Sequence, residues 1–120
     1  MMLKGIDPVL SPDLLWVLAS MGHGDDLALV DSNHPAETIA RATTSGRLVR
    51  LPGVAIDRAA KAILSVFPLD GFVDDPARRM QVVGDPAQVP LIQKEVAAVL
   101  ADAAGRAIEL VGVERFAFYE

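Results

Sequence analysis

Two short runs hold the residues best suited to chemistry. The first is Gly22-His23-Gly24-Asp25-Asp26. An imidazole titrates near neutral pH, which suits it to give and take protons. A glycine on each side lets backbone come close to whatever lies above the ring. Asp31 and His34 follow in the next polar stretch, Asp31-Ser-Asn-His-Pro35. The second run is Glu114-Arg115-Phe116-Ala117-Phe118-Tyr119-Glu120. Arg115 carries a fork of donors that can clamp polar oxygens. Tyr119, the chain's only tyrosine, can pass a proton or stack on a sugar face.

Each run also has an ordinary explanation. Helix-to-strand turns use Gly, His and Asp for backbone reasons alone. A terminal helix could pack Phe116 and Phe118 on a sheet and leave Arg115 outside. Other chemistries fit poorly. Gly22-x-Gly24 lacks a third glycine, because position 27 is Leu, and it precedes a strand rather than a helix. No Walker pattern and no Gly-x-Ser-x-Gly elbow occurs. His23, Asp25, Asp26, Asp31 and His34 could supply metal ligands, but they match no recognised ligand spacing, so no metal is expected. Arg78-Arg79 beside Asp74-Asp75 reads as surface charge, and Trp16 as a core or subunit-interface residue.

The elements that must position these residues follow from pattern. Ser11-Pro12-Asp13 opens a helix: Ser11 caps, Pro12 suits the first position, and Asp13 favours the positive end of the dipole. Leu14, Leu15, Leu18 and Met21 recur at helical spacing, and Gly22 is the expected stop. Leu27 to Val30 has the length of a buried strand, which would put Asp31 at its carboxyl end, where open α/β sheets bind ligands. Residues 36–46 carry no clear signal. Arg47 to Leu51 reads as a strand ended by Pro52-Gly53, and 55–67 as an amphipathic helix ended by Pro68. Met80 to Val83 is a predicted strand with a turn at Gly84-Asp-Pro86. Residues 88–104 are a helix ended by Gly105, 107–111 a strand, and 114–120 a further helical segment. Strands alternating with helices predict an α/β fold with a largely parallel sheet.

Length and composition agree with one domain over 1–120. Surface scaling for 12.8 kDa expects roughly 6,300 Å² exposed against roughly 18,600 Å² unfolded, enough burial to need no staple. With no cysteine, a disulfide scaffold, a Cys-based zinc site and a cysteine nucleophile are excluded. The net charge of -5 argues against a nucleic-acid partner. No stretch is long enough for a membrane span, and Met1-Met-Leu-Lys-Gly-Ile-Asp7 has neither a basic run nor an apolar core, so a cytoplasmic protein is expected.

Taken together, these motifs resemble the L-fucose mutarotase family, relatives of the D-ribose pyranases. Leu3-Lys-Gly-Ile-Asp-Pro8, Leu10-Ser-Pro-Asp-Leu-Leu15 and Met21-Gly-His-Gly-Asp25 follow the family's opening in order. Asp31-Ser-Asn-His-Pro-Ala36 is similar to its Asp-Ala-Asn-Phe-Pro-Ala, and Glu114 to Glu120 to its late block. The late block favours the fucose branch over the ribose branch.

The resemblance implies a three-layer α/β sandwich with a largely parallel central sheet. It implies an isomerase that interconverts the α and β anomers of a free pyranose, L-fucose first, in a large homo-oligomeric ring with sites near subunit boundaries. No metal or organic cofactor is implied. His23 matches the catalytic histidine, and Asp31 and Arg115 match sugar-binding residues. Tyr119 adds a weaker candidate for the sugar site. Two departures stand out: His34 replaces an aromatic residue, and nothing here matches the Tyr-Gly-Asn segment into which the family pattern continues. A non-catalytic monosaccharide-binding or ring-forming protein is the alternative function. A metal-dependent enzyme using His23 and Asp31 is a third.

Overall fold

The computed structural model describes residues 3–70 and 74–120. Met1 and Met2, part of the N-terminal stretch read for a leader, lie outside them.

Helix α1, Pro12–Ser20, forms as its opening residues dictate. Ser11 Oγ accepts from the Leu14 amide at 3.2 Å, and Pro12 occupies the first turn, where no amide hydrogen is needed. The helix stops before the glycine expected to end it. Met21, in an extended conformation, is the C-cap. Leu10, Leu14 and Leu18 bury one stripe and meet Ala62 and Ile63 of α3, Ile56–Leu64, to form the main core.

Between them lies α2, Ala36–Ala42, a helix that the sequence did not announce. It has no side-chain cap, and Pro35 stands at its N-cap. Its local support is an exposed Glu37–Arg41 pair at 3.5 Å, worth only about 0.3–0.5 kcal/mol at such a spacing.

Residues 27–30 and 47–51 were predicted as strands, but neither belongs to a strand in the structure. The apolar signal has a different cause. Leu29, Val49 and Leu51 pack against the α1–α3 core, so their burial is real while ladder pairing is absent.

The sheet among the described residues is a parallel pair, β1, Arg78–Met80, with β2, Val111–Val113. Arg78 pairs with Val111, Arg79 with Gly112 and Met80 with Val113. Both strands are offset from their predicted spans of 80–83 and 107–111. Residues 82–85 instead make a turn with an isolated Val82–Asp85 bridge, and Gly84 takes φ 80°, where a side chain would be strained. Helix α4, Leu91–Ala104, makes the crossover between the two strands and packs against α3. It starts after Pro90 and ends at Gly105, whose left-handed φ of 70° and amide bond to Ala101 match the predicted stop. The α/β class therefore holds, on a smaller sheet than the pattern promised.

The last element, α5, Arg115–Tyr119, also forms where expected. Glu114 caps it, one carboxylate oxygen accepting from the amides of Phe116 and Ala117 at 3.0 and 3.1 Å. No helix among the described residues is long and apolar enough to cross a membrane.

Candidate functional site

The polar contacts divide the predicted site residues into two groups. The first is built on the loop after α1. Asp25 accepts from the Gly22 amide at 2.8 Å and returns its own amide to the Gly22 carbonyl at 3.1 Å. This closes a tight turn with His23 and Gly24 at its tip, and Gly24 takes φ 85°.

A residue that the sequence did not flag holds the tip. Asp70 lies beyond α3, and one of its carboxylate oxygens meets His23 Nδ1 at 3.0 Å. The other accepts from the Gly24 amide at 3.2 Å. One carboxylate thus fixes both the ring and the backbone beside it. An ionised carboxylate only accepts, so the contact places a ring proton on Nδ1 and makes Nε2 the basic nitrogen of the neutral imidazole. The pair is asymmetric: the His23 side chain is 71% exposed and that of Asp70 21%. Such a histidine is oriented by protein and presented to solvent, which suits a proton carrier. Nothing in spacing pointed to Asp70, because the two residues are brought together by the packing of α3 on α1.

Arg78 at the start of β1 ties the same loop to the sheet through Asp26, 3.0 Å away, and approaches Asp75 at 3.8 Å. The two arginines read as surface charge therefore have structural partners. Arg79 reaches the carbonyls of Pro86 at 3.0 Å and Gln88 at 3.3 Å and fastens the turn before α4 to β1. A small cleft of about 100 Å³ opens beside His23, lined by Gly24, Asp25, Asp26, Asp70, Asp75, Pro76 and Arg78. No cluster of three or more histidine and acidic side chains among the described residues could hold a metal ion.

The second group joins the loop before α2 to α5. Asp31 folds over its own loop, accepting from the amides of Asn33 at 3.0 Å and His34 at 3.2 Å. The ring of His34 stands edge-on to Tyr119, with centroids 5.2 Å apart, and to Phe118 at 6.0 Å. On α5, Arg115 Nε donates to the Tyr119 hydroxyl at 3.1 Å, and the guanidinium carbon lies 5.6 Å from the Tyr119 ring centre. Asp31, Arg115 and Tyr119, proposed from separate ends of the sequence, are thus linked through His34. His23 meets Asp70, and Asp31 bonds to its own loop, so sequence reasoning found the members of both groups except Asp70.

Trp16 is half exposed, and the Arg47 guanidinium lies 3.9 Å from its ring centre, a cation–π stack on the outer face of α1.

The model of the RbsD / FucU transport protein family matches residues 4–120. The chain belongs to the RbsD/FucU family. An L-fucose mutarotase of Histophilus somni is 37% identical over 119 residues, 99% of this chain and 79% of the relative. The structure of FucU from Bifidobacterium longum superposes with a TM-score of 0.85 at 41% identity, covering 97% of this chain and 80% of that one. A fucose mutarotase from Streptococcus pneumoniae, solved in complex with L-fucose, gives a TM-score of 0.84 at 33% identity over 98% of this chain and 79% of that one. Both of this RbsD/FucU chain's residue groups fall within the matched span.

Proposed function

We propose that the protein is a sugar mutarotase, an isomerase acting at the anomeric carbon of a free pyranose, with L-fucose as the first candidate. The observation that carries this reading is its likeness to a fucose mutarotase solved with L-fucose, over nearly the whole chain. The His23–Asp70 pair supports it chemically.

Mutarotation needs one proton removed and one delivered. The anomeric hydroxyl loses its proton, the C1–O5 bond breaks, the ring oxygen gains a proton and C1 becomes an aldehyde. Rotation about C1–C2 and reclosure on the other face reverse these transfers. Acid–base assistance contributes about 10²–10⁴-fold to such a step. In this reading His23 Nε2 exchanges a proton with the sugar, and Asp70 orients the ring and stabilises its charged form. Asp31 accepts from sugar hydroxyls. Arg115 donates through its Nη groups, since its Nε is engaged by Tyr119. The Tyr119 hydroxyl accepts that bond and keeps its own hydrogen for a sugar oxygen. No metal or organic cofactor takes part.

The same reading includes a single mutarotase-like domain in a three-layer sandwich, a cytoplasmic location and a homo-oligomeric ring. Exposed surface supports the ring. Leu91 at 72%, Val83 at 68% and Phe116 at 68% are among the apolar side chains left in water. Neighbouring subunits of a ring would cover such side chains.

A non-catalytic sugar-binding protein is the second reading, favoured by the exposed, loosely enclosed site. Exchange NMR on L-fucose, D-ribose and D-galactose separates the two. Anomer exchange faster than in buffer is expected for at least one sugar. Sugar binding without faster exchange would establish the second reading instead.

A further inference from the structure

We propose that His34 is a positioning residue that sets Tyr119 and, through it, Arg115. The inference rests on the mutarotase reading, in which those two side chains hold the sugar. None of the residues of helix α5 is buried. Its capping by Glu114 is local and fixes only its first turn. The ring contacts of His34 tie its last turn to the Asp31 loop.

His34 is well placed to do this. Its amide is held by the Asp31 carboxylate at 3.2 Å and lies 3.3 Å from the Asp31 carbonyl. Its own carbonyl accepts from the Ala36 amide at 2.7 Å, where α2 begins. The backbone is therefore fixed on both sides of a half-buried ring. That ring presses edge-on against Tyr119, and Tyr119 accepts from Arg115 Nε. Removing the ring leaves Tyr119 without its support from the loop, and Arg115 then loses the bond that fixes its guanidinium. The effect falls on sugar binding more than on proton transfer, because His23 is oriented separately by Asp70. An aromatic ring of similar size preserves the edge-on contact, so charge and hydrogen bonding at the imidazole are not required.

The test compares the native protein with His34→Ala and His34→Phe. For His34→Ala, KM for L-fucose in the exchange assay rises about 3- to 10-fold, the scale of lost aromatic pairing, while kcat stays within about twofold. His34→Phe restores KM to within about twofold of native, as conservation of an aromatic pair predicts. In parallel, the ring resonances of Tyr119, the only tyrosine, and the Arg115 Nε–H signal move in His34→Ala and return in His34→Phe. Unchanged KM and unchanged Tyr119 signals in His34→Ala overturn the proposal, as does a His34→Phe protein as impaired as His34→Ala. If the native protein shows no exchange, the mutarotase reading fails, and the Tyr119 and Arg115 signals still decide the positioning.

Discussion

The two residue groups are built by different physics. At the His23 tip, a carboxylate from beyond α3 reaches across to a ring and an amide, so the geometry depends on tertiary packing. At the Asp31–α5 group, each polar bond among the described residues spans at most four residues along the chain, and aromatic contacts of His34 cross between segments. The first is suited to orienting a single proton-carrying nitrogen. The second gathers several donors and acceptors on one loop and α5, where the proposed mechanism puts the sugar. The comparison suggests a division of labour, with turnover set at His23 and affinity set around Arg115.

Kinetics can break that division. The largest effect is expected at His23: His23→Ala lowers kcat by about 10²–10⁴-fold with KM nearly unchanged. Next comes Arg115→Ala, which removes charge-assisted hydrogen bonds worth about 1.5–3 kcal/mol each and raises KM by roughly 10- to 100-fold. Progress curves by exchange NMR over a range of L-fucose concentrations separate the two parameters. If Arg115→Ala instead loses kcat at native KM, the division fails. A smaller change, about tenfold in kcat, is expected for Asp70→Asn, since the amide can no longer stabilise a charged imidazole. That variant sharpens the comparison, because a histidine ring placed correctly without Asp70 would keep full activity.

The smallest effect belongs outside both groups. Arg58 beside Asp7 holds that carboxyl below its usual range, chiefly through their hydrogen bond, with the Val9 amide as the next cause. A depressed carboxyl favours the folded state while it is ionised. That contribution is present at neutral pH and fades as pH falls below about 4. Thermal melts of Asp7→Asn are expected to lie below native at pH 7 and to converge with it in acid. The catalytic constants per folded molecule should not move.

Legibility in the sequence follows the same line between local and long-range. The cap at Ser11, the stop at Gly105 and the helix begun by Glu114 were readable because their causes lie within a few residues. Apolar runs at Leu29, Val49 and Leu51 correctly signalled burial, but burial does not specify pairing, so the expected strands do not form. Helix α2 was missed because it lacks a side-chain cap. Among site residues, His23, Asp31, Arg115 and Tyr119 stand in conspicuous runs. Asp70 follows a helix end in an unremarkable segment, and only folding brings it to His23.

In the proposed mechanism His23 carries a proton in anomer interconversion. Saturation transfer between the two anomeric protons of L-fucose, with native protein and with His23→Ala at matched concentration, decides whether it does. Transfer is expected well above buffer for the native protein and near the buffer rate for the variant. Equal exchange rates for the two proteins would contradict it.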